Sequence, residues 1–158
     1  MTSLSRYALV LLRAAALLAL STVLALPARA EVIDIDNAEL ARLAASGVPV
    51  IDIRTAGEWQ ETGIVPGSRL ITLFDEKGRA DAPAWLEQVK GVAQPGQPVI
   101  VICRSGNRTK AASQLLSQQA GYKTVYNVKA GIRAWAGENR PLVPASGAVA
   151  SCPAGARC

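Results

Sequence analysis

Short apolar segments alternate with helix-initiating patterns along most of the chain. The apolar segments are rich in β-branched residues and predict strands over residues 32–35, 48–53, 69–73, 99–102 and 123–126. Capping patterns and terminal glycines predict helices over residues 36–47, 55–63, 81–89, 110–120 and 132–136. Strands that alternate with helices predict an α/β fold, in which a small parallel sheet carries helices on both faces.

The first thirty residues have the composition of an export signal. Two arginines precede an apolar run over residues 14–26, and Ala28-Arg29-Ala30 has the small-x-small form of a signal-peptidase site. We therefore expect a signal peptide over residues 1–30, cleavage before Glu31 and a periplasmic mature protein. An uncleaved signal anchor is the alternative, and it is the only membrane contact that we expect.

The last residues also differ from the centre, so we divide the mature chain into a domain over 31–144 and a flexible tail over 145–158 that is rich in alanine and glycine. Cys152 and Cys158 lie in this tail. In an oxidising compartment their short separation predicts a disulfide between them that spares Cys103. A tail thiol that reaches Cys103, as a resolving thiol or a sulfur acceptor, is the alternative.

Charge and composition exclude several classes of partner. The net charge of the 158-residue chain is +5, and removal of the signal with its three arginines lowers it to +2. No stripe of basic residues with interleaved aromatics is present, so we do not expect nucleic acid as a partner. The chain has three cysteines and no histidine, a poor set of zinc ligands, and it lacks a phosphate-binding glycine motif. We expect neither a metal nor a cofactor.

The most specific chemical pattern lies at residues 99–116. A buried strand, Val99 to Ile102, delivers Cys103 to its carboxyl end, where ligands bind in parallel sheets. Ser105, Gly106 and Asn107 suit tight turns, so the backbone N–H groups that follow can turn inward around the sulfur.

Several charges near Cys103 favour its thiolate form. Arg104 and Arg108 are nearby cations, and Arg108 with Thr109 opens the next helix, whose N-terminus favours negative charge. Because the chain has no histidine, a Cys–His dyad is excluded, and activation must come from the loop itself. An ordinary buried cysteine is the alternative, but this loop favours a catalytic or sulfur-binding thiol.

The sequence CRSGNR, followed by Thr109, resembles the active-site loop of the rhodaneses, sulfurtransferases that carry sulfur as a cysteine persulfide. VIDIRTAGEW at 50–59 resembles the family's Asp-x-Arg-x-x-x-Glu-aromatic segment, and GYKTVYNVKAGIRAW at 121–135 resembles its last strand and Gly-x-x-x-Trp helix. The resemblance spans residues 32–143. It departs at Gly63-Ile64, where many members have Gly-His, and at Ala130-Gly131, where two glycines are usual.

This resemblance implies a rhodanese-like fold and a thiosulfate sulfurtransferase. Cys103 is then the catalytic residue, which takes sulfur from thiosulfate or a related small anionic donor and passes it to cyanide or a thiol. The implied substrate contacts come from the residues of the loop: Arg104, Ser105, Gly106, Asn107, Arg108 and Thr109. Arg108, together with Arg104, is expected to attract and orient the dianionic donor.

Two other functions stay open. Cysteine phosphatases and arsenate reductases also hold an anion over a thiolate, but their loops resemble Cys-(X)5-Arg, whereas here four residues separate Cys103 from Arg108. A smaller loop suits one sulfur better than a tetrahedral oxyanion. A periplasmic persulfide carrier or redox partner with little turnover needs the same persulfide and is the second alternative.

Three other charged residues are predicted to be structural. Arg54 can reach Glu58 four residues further on, and this ion pair would fix the corner between the second strand and its helix beneath the site. Asp52 belongs to the same segment. The three tryptophans, Trp59, Trp85 and Trp135, are predicted to pack in the core.

Overall fold

The structure is a computed structural model that describes residues 30–146. The predicted signal peptide, apart from Ala30, and both tail cysteines lie outside these residues. Among the residues described, no helix has the length and apolar character needed to cross a membrane.

Five strands and five α-helices alternate along this range. The strands are β1 (Glu31–Ile35), β2 (Val50–Asp52), β3 (Arg69–Leu70), β4 (Val99–Ile102) and β5 (Thr124–Val128). The helices are α1 (Asn37–Ala45), α2 (Ala56–Thr62), α3 (Ala82–Lys90), α4 (Asn107–Gln114) and α5 (Gly131–Gly137). All strand pairs are parallel, in the order β1-β5-β4-β2-β3. The predicted α/β fold is confirmed.

Helices cover both faces of the sheet. On one face, α3 and α4 pack against the sheet through residues such as Trp85 and Ala112. On the other, α1 and α5 pack through residues such as Leu40 and Trp135. Strand β4 lies in the middle and all four of its residues are buried, as its unbroken apolar pattern predicts. Cys103 therefore emerges at the centre of the sheet's carboxyl edge.

Some element boundaries differ from the sequence predictions. Strand β3 has two residues where five were predicted, and β5 continues beyond Tyr126 to Val128. Helix α4 begins earlier than predicted, at Asn107, and becomes a π-helical turn over Leu115–Gln119. There the N–H of Ala120 donates to the carbonyl of Leu115, five residues back.

The packed part of the chain extends slightly beyond the predicted domain end at residue 144. Ile64 and Val143 exchange two backbone hydrogen bonds of 2.9 and 3.0 Å. Ala145, which was predicted to begin the tail, is buried against Trp59 and Leu70. The returning chain thus covers the α2 side of the sheet. All three tryptophans are buried, as predicted.

A buried ion pair fixes the corner between β2 and α2. The guanidinium of Arg54 binds the carboxylate of Asp52 through Nε at 2.9 Å and Nη2 at 2.7 Å, and both residues are buried. Its other donors bind the Thr62 hydroxyl at 2.6 Å and the carbonyls of Gly63 and Glu58 at 2.8 and 3.2 Å. All five guanidinium donors therefore have partners.

This network corrects the predicted Arg54–Glu58 ion pair. Arg54 contacts only the backbone carbonyl of Glu58, because Asp52, two residues earlier in the extended chain, lies on the same side and offers its carboxylate directly. The carboxylate of Glu58 is left for another partner.

We predict that Arg54→Ala destabilises the protein by about 3–5 kcal/mol, because it leaves the Asp52 carboxylate buried without its cation. Arg42→Ala removes an arginine from a pair with Glu39 that is exposed on α1, and it should lower the free energy of unfolding far less than Arg54→Ala does. Urea unfolding of both variants measures the contrast. Equal losses would show that the buried pair does not anchor this corner.

Candidate active site

The Cys103 side chain lies inside the loop that joins β4 to α4. The residue is 1% exposed. The backbone N–H of Gly106 donates to Sγ at 3.2 Å, and the thiol is 3.9 Å from the Thr109 hydroxyl, which donates to the Gly106 carbonyl at 2.8 Å. The sulfur thus accepts a hydrogen bond from one backbone N–H of its own loop, and the Thr109 hydroxyl lies beside it.

Two glycines allow the loop to pack tightly on the connection between β5 and α5. Gly106 has a φ of 88°, and a Cβ there would overlap the carbonyl of Lys129. Gly131 has a φ of 62°, and a Cβ there would lie 2.5 Å from the backbone of Arg104 and Ser105. Because both positions lie in the left-handed region and lack space, a side chain at either would displace the loop.

Hydrogen bonds from α5 hold the start of the loop in place. The N–H of Ile132 donates to the Cys103 carbonyl at 2.8 Å, and that of Arg133 donates to the Arg104 carbonyl at 3.1 Å. These carbonyls therefore point toward α5. The loop can present N–H groups, and not carbonyls, to the sulfur.

The N-terminus of α4 adds to the positive potential at Cys103. Gly106 is its N-cap and has no side chain to accept from the first amides of the helix. These amides and the helix dipole favour a negative charge at the sulfur or at a group bound above it. Among the described residues, no group of three or more acidic or cysteine side chains is arranged to hold a metal ion.

Arg108 is bound to a carboxylate in the first turn of α2. Its Nη1 and Nη2 donate to Glu58 Oε2 and Oε1 at 2.8 and 2.6 Å, in a bidentate ion pair. The hydrogen bonds from Arg108, with help from the Thr55 N–H and the charge of Arg54, lower the pKa of Glu58 to about 2. In return, the hydrogen bonds from Arg108 to Glu58 raise the pKa of Arg108.

The structure divides the predicted site residues into two groups. Cys103, Gly106, Arg108 and Thr109 lie together around the sulfur. The side chains of the other three are exposed on the outside of the loop: Arg104, Ser105 and Asn107. An anion above Cys103 would therefore meet backbone amides, Thr109 and the Arg108–Glu58 pair before these three side chains.

Comparison with known proteins identifies this arrangement. Residues 36–138 match the model of the rhodanese-like domain. The chain belongs to the rhodanese family. Thiosulfate sulfurtransferase 18 of Arabidopsis thaliana is 32% identical over 117 residues, which cover 71% of this chain and 84% of the relative. A rhodanese domain-containing protein of Drosophila melanogaster is 37% identical over 93 residues, which cover 56% and 82% of the two chains.

Solved structures agree on the rhodanese fold. A rhodanese-related protein from Thermoplasma volcanium superposes with a TM-score of 0.53 at 26% identity, over 70% of this chain and 97% of that one. The rhodanese-like domain of an Anabaena protein superposes with a TM-score of 0.55 at 17% identity, over 79% and 87%. The second likeness concerns the fold alone.

Sequence reasoning missed two parts of this rhodanese site. The pairing of Glu58 with Arg108 joins residues 50 positions apart. It could have been found from the strand order, because the helices that follow neighbouring parallel strands begin side by side. The second missed part is Gly131, which supports the loop. The sequence shows a glycine at the start of the last helix, but its contact with Arg104 is visible only in the structure.

We predict that Glu58→Gln destabilises the protein by about 1.5–3 kcal/mol at neutral pH, the cost of losing a charged hydrogen-bonded partner. The pKa of Glu58 falls from an ordinary 4.5 to about 2 on folding, so its charge stabilises the fold above pH 4.5. The difference from wild type should shrink as pH falls through this range and vanish near pH 2. Urea unfolding at several pH values measures it.

Glu61→Gln is the matched control, because Glu61 lies on the same helix, is exposed and has no ion-pair partner among the residues described. It should change stability by less than about 0.5 kcal/mol. A Glu58→Gln difference that stays constant from pH 7 to pH 3 would contradict the ion pair.

Proposed function

We propose that this protein is a sulfurtransferase that moves sulfane sulfur from thiosulfate or a related small anion to cyanide or a thiol through a persulfide on Cys103. The observation that carries the proposal is the Gly106 N–H directed at Cys103 Sγ at 3.2 Å, in a loop whose next amides begin a helix. A sulfur that bears negative charge before and after transfer is stabilised by such donors. The named relative supports the same chemistry.

The first step forms the persulfide. The Cys103 thiolate attacks the outer sulfur of thiosulfate, a new S–S bond forms, and the bond to the central sulfur breaks, so that sulfite leaves with the electron pair. The charge that enters as thiolate is retained on the persulfide. No external base is required, which fits a chain without histidine.

The second step returns Cys103 to its thiolate form. An acceptor such as cyanide attacks the outer sulfur, and the electron pair of the S–S bond returns to Cys103 as a thiolate while thiocyanate leaves. Although Cys103 is buried, the outer sulfur extends about 2 Å beyond Sγ. The acceptor therefore meets the outer sulfur and does not need to enter the loop.

We predict that Cys103→Ser abolishes thiocyanate formation from thiosulfate and cyanide, because the Cys103 thiolate is the group that holds the sulfur between the two steps. The double variant Cys152→Ser/Cys158→Ser should keep the wild-type rate. Both rates come from a colorimetric thiocyanate assay. An unchanged rate in Cys103→Ser would show that Cys103 does not carry the transferred sulfur.

Two further results separate the alternatives. Hydrolysis of p-nitrophenyl phosphate in place of sulfur transfer would favour a phosphatase. Persulfide formation without turnover on cyanide or small thiols would favour a carrier.

Arg108 has a role in donor binding that depends on Glu58. We predict that Arg108→Ala lowers kcat/KM for thiosulfate about tenfold or more, because the donor loses a cation and meets an uncompensated Glu58 carboxylate. An uncharged dialkyl trisulfide should be affected much less. The double variant Arg108→Ala/Glu58→Gln should recover part of the thiosulfate rate. Equal losses with both donors would show that Arg108 only supports the loop.

We also propose that the protein acts in the periplasm, on the strength of the signal pattern in residues 1–30. We predict that the mature N-terminus is Glu31 and that the protein is released with the periplasmic fraction. N-terminal sequencing after fractionation measures both. Full-length protein in the membrane fraction would favour the signal anchor.

A further inference from the structure

A small pocket lies beside the cysteine loop, between α2 and α5. Its volume is about 220 Å³, below the range of about 300–1,000 Å³ that is typical of sites for drug-sized ligands. It adjoins the loop on two sides: Arg133 and Ile132 on one wall are hydrogen-bonded to the loop backbone, and Glu58 on the other is bound to Arg108. Cys103 itself does not line the pocket, but a ligand there would lie beside the loop that holds Cys103.

Two cations of this pocket have no ion-pair partner in the described part of the chain. Of the eight arginines within residues 30–146, five form ion pairs. The remaining three are Arg69, Arg104 and Arg133. Two of them, Arg104 and Arg133, line the pocket from the loop and the first turn of α5. Their charge is available to an anionic group of a ligand.

The other residues that line the pocket favour a sulfur acceptor over the donor thiosulfate as its ligand. Ile132, Ala136 and Leu142 give the pocket an apolar side, and Glu61 adds a carboxylate on the opposite wall. Thiosulfate has no apolar part that could contact this side of the pocket. A molecule with one carboxylate and a short aliphatic chain satisfies the arginines and the apolar side together.

On the basis of the proposed function, we propose that this pocket binds the sulfur acceptor, and that the acceptor is a small aliphatic thiol whose carboxylate is held by Arg133 and Arg104. In the transfer step, the thiolate RS⁻ attacks the outer sulfur of the Cys103 persulfide. The S–S bond to Cys103 breaks, its electron pair stays on Sγ as a thiolate, and the outer sulfur leaves with the acceptor as RSS⁻, which keeps the negative charge that the persulfide carried. Arg133 thereby becomes a specificity-determining residue.

The test compares acceptors that differ in charge. Transfer from thiosulfate is measured with mercaptopropionate, which is a carboxylate, with mercaptoethanol, which is neutral, and with cyanide, which has no aliphatic chain. Arg133→Gln should raise KM for mercaptopropionate about tenfold, equivalent to about 1.4 kcal/mol. The KM values for mercaptoethanol and cyanide should stay within about twofold of wild type.

Arg69→Gln is the matched control. It removes the same charge from an exposed arginine that also has no ion-pair partner within residues 30–146, but Arg69 lies on the edge strand β3, outside the pocket. This variant should leave all three KM values unchanged. An equal effect of Arg69→Gln and Arg133→Gln on mercaptopropionate would reduce the role of Arg133 to net charge and overturn the proposal, as would equal effects of Arg133→Gln on all three acceptors.

A binding measurement separates failure of the pocket from failure of the proposed function. Methylthiopropionate carries the carboxylate and the chain but no thiol, and calorimetry should show that it binds wild type and Arg69→Gln alike and Arg133→Gln about tenfold more weakly. Normal thiocyanate formation with no such difference rejects the pocket alone. The expected binding without thiocyanate formation rejects the sulfurtransferase and keeps the pocket as a carboxylate site.

Discussion

The contact between the cysteine loop and the β5–α5 connection brings two stretches of backbone together without intervening side chains. Gly106 lies against Lys129, and Gly131 lies against Arg104 and Ser105. Since the carbonyls of Cys103 and Arg104 are bound by amides of α5, the loop is left to direct N–H groups at the sulfur. This contact therefore fixes the backbone of the loop between Cys103 and the start of α4.

Two arginines near the loop form ion pairs with carboxylates, one buried and one partly exposed. Arg54 is enclosed, with its donors bound to Asp52 and to the end of α2, so it fixes the helix that carries Glu58. Glu58 in turn binds Arg108 at the rim of the loop. The cation nearest the sulfur is therefore positioned by a carboxylate that also offsets its charge, and the backbone amides supply the main positive potential at Cys103.

Local patterns in the sequence were sufficient for the sheet, the order of strands and helices along the chain, and the cysteine loop. Each depends on neighbouring residues: the apolar run of β4, the capping pairs before α1 and α2, and the turn residues after Cys103. The partner of Glu58 was predicted wrongly, because spacing along a helix favours Arg54 while the sheet order brings Arg108 closer. The π-helical turn after α4 and the pocket at Arg133 arise from packing between distant segments, which no local pattern records.

The central claim is that Cys103 carries the transferred sulfur within this loop. Intact mass spectrometry of the purified protein after exposure to thiosulfate, followed by mapping of the modified peptide, tests it most directly. The account predicts the addition of a single sulfur atom, located on the peptide that contains Cys103 and removed by cyanide. An unchanged mass, or a sulfur found only on the peptides that contain Cys152 or Cys158, would contradict it.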